Sequence, residues 1–346
     1  MKTVLAIGDE KDWDSFKKFR KQQTRLRKNG FSFKSADYQS ALEGRLPEVE
    51  TDELIIFLFF PFEYWENHIE TKRSSETYGS RTYYTKFKRF WNRIDKLLRR
   101  AYKDKDICYV NDPARLYLGR DKRRSKLILQ RKGIPVPKRY PTRDYRKILD
   151  MIEEGKKLFV KVRYGSMGKG ISYLEKGRWF TNFIFRGKRI ISRRSDYGWK
   201  FREVTDNIEF LKKLLAEDLV IEDAIDPFLV NGRRFDLRVY VAFGKVLYIY
   251  PRSNEPDQIT TNIAQGARGE PQAFLHRIPP KILDRITRNA IRAADAMGLA
   301  FAGVDVMPDN GTGRVRVLEI NAFPGFPRMR AFNLSRYIMR EIAENC

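Results

Sequence analysis

The chain has 346 residues, enough for two or three domains around a large buried core, and its 42% hydrophobic and 13% aromatic content excludes a disordered polyelectrolyte. The formal net charge is +25, and residues 70–147 hold 25 Lys and Arg against 8 Asp and Glu, so +17 of it sits in one window. Two cysteines exclude a disulfide framework or a zinc site, and no apolar run approaches the ~20 residues of a membrane helix.

In chain order, residues 3–7 read as a short buried strand, and the start MKTVLAIGDE turns acidic too soon for a signal peptide, so a cytoplasmic protein is expected. Residues 12–28 are highly charged, with Trp13, Phe16, Phe19 and Leu26 forming an imperfect helical stripe that stops at Asn29-Gly30. Residues 54–60 read as a buried strand ended by Pro61. The basic, aromatic stretch 65–102 ends in KRFWNRIDKLLRRAY, where Phe90, Trp91, Ile94, Leu97 and Leu98 share a helix face. That spacing favours core packing over stacking on nucleic-acid bases. The strand ICYV and a turn at Asn111-Asp112-Pro113 follow, then a helix predicted over 113–132 and ended by Gly133 and Pro135. From 158 to 321 the pattern is strand-rich, with helices predicted over 208–216 and 280–297, and a closing helix over 334–345.

Three segments carry chemistry. In KLFVKVRYGSMGKGISYLEKG a glycine loop, Gly165-Ser166-Met167-Gly168-Lys169-Gly170, joins two strands, so its bare N–H groups could close over phosphates. It lacks both the Walker spacing and a following helix, and hairpin tips are often rich in glycine. In FAGVDVMPDNGTGRVRVLEINAFPG, Asp305 sits in an apolar strand, and Glu319 and Asn321, two apart, share a face of the next. Pairing through the turn brings Asp305 toward that face, giving hard oxygen ligands suited to Mg²⁺, unless arginines neutralise the acids instead. In LVIEDAIDPFLVNGRRFDLRVYVAFGKVLYIYPR, residues 219–225 read as a strand entering a hinge. Asp236 and Arg238 follow on one face, then Arg252 and Thr261-Asn262; these arginines could clamp phosphate or simply pair with Asp236.

Taken in order, these pieces resemble the ATP-grasp superfamily, nearest its ribosomal-protein glutamate ligase-like branch, and RRFDLRVYV also resembles tubulin-tyrosine ligase-like enzymes. The likeness runs over about residues 112–330: Asp121-Lys122, Gly-Ile-Pro-Val-Pro137, Phe-Val-Lys161, the glycine loop, Ile-Glu222-Asp-Ala-Ile225, Phe-Asp236-Leu-Arg238, Pro-Arg252, Thr-Asn262, Val-Asp305 and Leu-Glu319-Ile-Asn321-Ala-Phe-Pro-Gly325. It implies an α+β fold in which two α+β subdomains clamp ATP, preceded by an α/β domain. The expected bounds are 1–111 for that domain and 112–346 for the ATP-grasp part, with a flap subdomain at about 150–222 and a metal-binding one at about 223–335.

The same resemblance implies roles. Lys122 and Lys161 would contact phosphates beneath the flap of Gly165, Ser166, Gly168 and Gly170. Glu222, Asp223, Ala224 and Ile225 would hold adenine, with Asp226 at the ribose. Asp305, Glu319 and Asn321 would hold Mg²⁺, or Mn²⁺. Arg252 and Asn262 would lie near an acyl phosphate and Arg238 near the triphosphate. The expected activity is ATP-dependent ligation of a carboxylate to an amine through an acyl phosphate, adding an amino acid to an anionic small molecule or peptide. Alternatives are modification of a protein tail and, less expected, nucleic-acid binding on this scaffold. The chain departs from the pattern at Gly266-Ala267, where Gly-Gly is common, and in the basic, aromatic stretch 179–202, which the resemblance leaves unassigned.

Overall fold

The computed structural model describes residues 1–10, 15–71, 77–192, 198–326 and 332–346. The chain opens on a four-stranded parallel sheet of β1 (Lys2–Ile7), β2 (Phe31–Ala36), β3 (Glu53–Leu58) and β4 (Asp106–Tyr109), in the order β2-β1-β3-β4. Every residue of β1 from Thr3 onward is buried, because layers cover both faces. On one side lie α1 (Ser15–Arg20) and α2 (Gln23–Lys28), and Trp13 of the predicted stripe lies outside the described residues. The continuous helix predicted over 12–28 breaks at Lys21-Gln22, where Lys21 and Gln22 bond back to Lys17 and Phe19 and close the first helix. The other side holds α3 (Tyr38–Leu42), α4 (Phe62–Tyr64) with a π-turn over Trp65–Ile69, and the long α5 (Arg81–Ala101). Of the face its spacing predicted, α5 buries Phe90, Trp91, Ile94 and Leu98 and leaves Leu97 half-buried; it also buries Tyr83 and Phe87.

The helix predicted over 113–132 is three pieces: α6 (Pro113–Leu116), a 3-10 turn over Leu118–Arg120, and α7 (Lys122–Arg131). A methyl group at Gly119 would sit 2.7 Å from the Ile320 carbonyl oxygen, so this turn packs against the Ile320 backbone where only glycine fits. Asp121 then starts α7 by accepting from the N–H groups of Arg123 and Arg124.

A second sheet runs β11-β8-β7-β6-β12-β5, from β5 (Arg139–Tyr140), β6 (Leu158–Val162), β7 (Ile171–Glu175), β8 (Arg178–Thr181), β11 (Arg202–Glu203) and β12 (Leu219–Asp223), with β9 (Ile184–Arg186) and β10 (Arg189–Ile191) as a separate hairpin. Alternation sends Leu158, Val160 and Val162 into a core with α8 (Tyr145–Glu153) and α9 (Ile208–Leu215), leaving Phe159 and Lys161 on the opposite face. The third sheet runs β16-β15-β14-β17-β18, with β13 (Leu229–Val230) paired to β14. Its strands are β14 (Arg233–Ala242), β15 (Lys245–Asn254), β16 (Arg268–Gly269), β17 (Phe301–Pro308) and β18 (Val315–Asn321). One face packs Phe235, Leu237, Val239, Val304 and Val306 on α10 (Pro280–Met297). The other buries Tyr240, Ala242 and Phe301 with α11 (Leu334–Asn345) and the N-terminal layer. This arrangement of mixed helices and sheets agrees with the α+β class expected above. No helix among the described residues is long and apolar enough to cross a membrane.

Candidate functional site

The polar face of the third sheet looks across a cleft at the free face of the second. In register, Asp236 stands opposite Arg252, Arg238 opposite Asp305, and Asp305 opposite Glu319. The hairpin pairing read from the sequence therefore holds, and a bulge just after Asp305 keeps the two carboxylates side by side. Asn321 pairs with Gly303 at the next step, where its side-chain amide donates to the Gly303 carbonyl at 3.5 Å.

Each acid in this row already faces a cation. Arg238 grips Asp305 with two donors, Nη2 to Oδ2 at 2.8 Å among them, and Arg252 reaches the same carboxylate at 3.1 Å. Arg252 also holds Asp236, through Nε to Oδ1 at 2.7 Å and Nη2 to Oδ2 at 2.5 Å. Burial alone would raise the Asp305 carboxyl, but Arg238 and Arg252 outweigh it and hold it below the usual carboxylate range. For Asp236 burial wins over Arg252, with Asp305 adding to the rise, so the acid is pushed up. Glu319, less buried, accepts from Lys122 Nζ at 2.8 Å, and the same ammonium donates to the Gly165 carbonyl at 2.6 Å.

Across the cleft, Glu222 is buried and contacts two ammonium groups, Lys161 and Lys126. Burial, then repulsion from Lys161 and Lys122, lowers the Lys126 ammonium, and burial with Lys122 lowers Lys161 to about 8. The Glu222 carboxylate lies between the two ammonium groups and is the counter-charge in contact with both. Lys126 was missed by sequence reading, yet it lies one helical turn after Lys122 on α7, a spacing that sets both on the cleft side.

The glycine loop is braced from outside the sheet. A methyl at Gly165 would collide with Val162 Cγ2, so the loop folds back on its own strand. Tyr78, from the N-terminal region, accepts from the Ser166 N–H at 2.9 Å through its hydroxyl and lies 3.3 Å from Ser166 Oγ. Gly168 faces Asn262, whose side chain caps the next turn by accepting from the Ala264 N–H at 2.9 Å. Asp121 ties this framework together, since Arg163 donates to both its oxygens, at 2.8 and 2.6 Å, while it starts the helix that carries Lys122 and Lys126.

The cleft is lined by Phe159 and Ile171 on one side and Met307 and Leu318 on the other, with Glu222, Asp223 and Ile225 at one end and Lys122, Asp305 and Glu319 among the lining groups. Its cavity volume is about 120 Å³, well under the ~300–1,000 Å³ of occupied ligand pockets. A ligand of nucleotide size enters only if the two sheets part. A broader depression of about 740 Å³ beside β9 and β11 contains none of these residues. Two predicted residues are turned elsewhere. The Ala224 N–H donates to the Lys157 carbonyl at 2.8 Å. Asp226 is exposed, its carbonyl accepting from the Asn310 N–H at 2.8 Å, which holds it against the β17–β18 turn. Among the described residues no group of three or more His, Cys, Asp or Glu is placed to hold a metal on its own.

The YheC/D-like ATP-grasp family model matches residues 131–342. A probable alpha-L-glutamate ligase of Maridesulfovibrio salexigens is 30% identical over 228 residues, covering 65% of this chain and 63% of the relative. One of Rhodopirellula baltica is 28% identical over 229 residues, covering 65% of this chain and 47% of the relative. The matched region thus spans between about half and two-thirds of these relatives' length. Among solved structures, the macrocyclase MdnC bound with the precursor peptide MdnA, from Microcystis aeruginosa, superposes with a TM-score of 0.58 at 12% identity, covering 99% of this chain and 100% of that one. D-alanine–D-alanine ligase of Bacillus anthracis gives 0.55 at 14%, covering 99% and 98%. At such identities the likeness is one of fold.

Proposed function

The chain belongs to the YheC/D-like ATP-grasp family, and from that premise we propose that it is an ATP-dependent carboxylate–amine ligase that adds an amino acid to an anionic small molecule or peptide. The observation that carries this reading is the facing of Asp305 and Glu319 in register, beneath a glycine loop and across from Lys161 and Glu222. The alpha-L-glutamate ligases among its relatives support the reaction class. A neighbour of the same fold, MdnC, is bound with a precursor peptide, so peptides belong among the acceptors to be tested.

The donor set fits a Mg–nucleotide. Phe159, Ile171, Met307 and Leu318 offer apolar faces for a flat base, and Glu222, Asp223 and Ile225 offer polar groups at its edge. Lys122 and Lys161 are the groups to neutralise phosphate oxygens, moving from Glu319 and Glu222 to do so. Asp305 and Glu319, with Asn321 beside them, would hold the metal, two carboxylates being the small complement Mg²⁺ takes when phosphates complete its shell. When bound, that ion neutralises charge on the transferring phosphoryl group. Arg238 and Arg252 fix the Asp305 carboxylate and add positive potential behind it.

In the reaction, a substrate carboxylate oxygen attacks the γ-phosphorus, its bond to the β–γ bridging oxygen breaks, and ADP leaves. The amine nitrogen then attacks the acyl carbon, a C–N bond forms, the C–O bond to phosphate breaks, and phosphate departs as the nitrogen loses a proton. The protein contributes alignment, charge neutralisation and exclusion of water beneath the loop. The test is ATP-dependent release of ADP and phosphate with L-glutamate and a panel of amino acids and acidic peptides, read with intact-mass detection of product. Absence of nucleotide binding and of turnover with every pair would overturn it.

A further inference from the structure

The cleft cations already described, Lys122, Lys126, Lys161, Arg238 and Arg252, each have a carboxylate within ion-pair distance. Arg120 stands beside them without one among the described residues. Its guanidinium lies 4.0 Å from the Trp65 ring centre, 5.2 Å from Phe60 and 5.3 Å from Phe87, and Nη1 donates to Ser166 Oγ at 3.2 Å. Tyr78 brackets the same serine from the other side. The nearest acids act only from further off. Glu70 is held by the Trp65 indole N–H at 2.9 Å, and Glu319 by Lys122.

Burial lowers the Arg120 guanidinium, so the chain carries a desolvated cation whose close offsets among the described residues are ring faces and the hydroxyls of Ser166 and Tyr78. Ring faces attract a cation but leave its N–H fork short of acceptors, and that fork matches a carboxylate. Its position is fixed by the Gly119 backbone pressed on Ile320, one residue after Glu319. Arg120 is thus rooted beside the strand of the candidate metal ligands, on the side formed by Phe60, Trp65, Tyr78 and Phe87 of the N-terminal region. Ser166 and Lys122 line the nucleotide pocket as well, whereas Arg120, Phe60, Trp65, Tyr78 and Phe87 do not.

We propose that Arg120, with Ser166 and Tyr78, forms the binding site for the substrate carboxylate that receives the phosphoryl group. The site rests on the ligase reading above and adds to it the residue that selects an acid over its amide. It joins acceptor binding to closure of the glycine loop, because Ser166 belongs to both. Tyr78 then makes the N-terminal region a contributor to specificity through a side chain that no motif marks.

The test uses the full chain saturated with Mg²⁺ and a non-hydrolysable ATP analogue, with acetate as the minimal carboxylate and acetamide as its neutral counterpart at equal ionic strength. Arginine modification by phenylglyoxal is followed residue by residue with peptide mass mapping, and exposed Arg123 serves as the internal reference. Acetate at about four times its Kd slows modification of Arg120 about fivefold, acetamide does not, and Arg123 is unchanged with either. Equal modification of Arg120 with and without acetate, or equal protection by acetamide, would overturn the assignment. Arg120→Lys and Arg120→Met keep the affinity for the nucleotide analogue within about threefold, whereas a loss of tenfold or more in Arg120→Lys would make Arg120 a nucleotide contact and also overturn it. Failure of the analogue to bind the unaltered chain would instead strike the ligase reading, and the acetate arm without nucleotide would still report on Arg120.

Discussion

Glu319→Gln separates chemistry from stability at the candidate metal pair. Its side chain is 29% exposed and, among the described residues, its ion-pair partner is Lys122, so losing the charge costs about 1 kcal/mol of folding free energy. Asp305 is only 9% exposed and bridges Arg238 and Arg252, so Asp305→Asn leaves two guanidinium groups under-compensated and costs about 3–5 kcal/mol. For turnover the two substitutions converge. Each removes one of two carboxylates that would hold Mg²⁺, an interaction worth several kcal/mol, so turnover falls by about 10²–10³ in both. The assay pairs urea unfolding with calorimetric titration of a non-hydrolysable ATP analogue, with Mg²⁺ or with EDTA. The unaltered protein should bind the analogue at least about tenfold tighter with Mg²⁺, and Glu319→Gln should lose most of that gain while keeping its EDTA affinity. Unchanged Mg²⁺ dependence in Glu319→Gln would refute the metal assignment, and an Asp305→Asn protein as stable as the parent would refute the arginine bridge.

Glu222→Gln removes the counter-charge between Lys126 and Lys161 and should destabilise by about 3–5 kcal/mol, with much of the loss recovered in the Glu222→Gln, Lys126→Met double variant, as urea midpoints will report. Asp9 is buried and its carboxyl is raised to about 6, chiefly by burial, although it accepts from the Glu63 N–H at 2.8 Å. Its folded value exceeds its unfolded one, so stability is lost as pH rises from about 4 to 6, by up to about 3 kcal/mol. Asp9→Asn should therefore gain on the parent across that interval, and a stability difference independent of pH would count against the shift. Neutralising Lys86, Arg89, Lys96 and Arg100, all exposed on α5, should leave unfolding unchanged and raise the apparent KM for an anionic acceptor mainly at low salt.

Much of the third sheet was legible because strand chemistry is local. Asp305 and Glu319 lie on one hairpin, and period-two alternation sets Asp236 and Arg238 on one face before any tertiary contact forms. The 3-10 turn that breaks the helix expected over 113–132 was not legible, since Gly119 there packs on the Ile320 carbonyl about two hundred positions later. The contacts of Arg120 and Tyr78 with Ser166 were not legible either, since they join positions 46 and 88 residues apart. Asp226 fails differently. The strand ends before it at Asp223, and its carbonyl is taken by the Asn310 N–H, so a residue adjacent to the hinge in sequence faces away from the cleft in space.

The charge of the chain divides along the same line. The cleft is lined by six Lys and Arg and five Asp and Glu, which leaves +1 there out of a formal +25. Nucleotide binding therefore accounts for little of the basic character. Most of it is spread over surfaces such as α5 and the outer side of α7, where Lys86, Arg89, Arg93, Lys96, Arg123 and Arg124 are exposed. A surface field of one sign acts at distances up to about a Debye length and draws in polyanions of any shape, whereas the cleft discriminates by paired contacts at ~3 Å. On the ligase reading the two would make separable contributions: surface charge would set how fast an acidic acceptor arrives, and Arg120 with the Asp305–Glu319 pair would set which carboxylate reacts. Salt should erode the first while leaving the second intact.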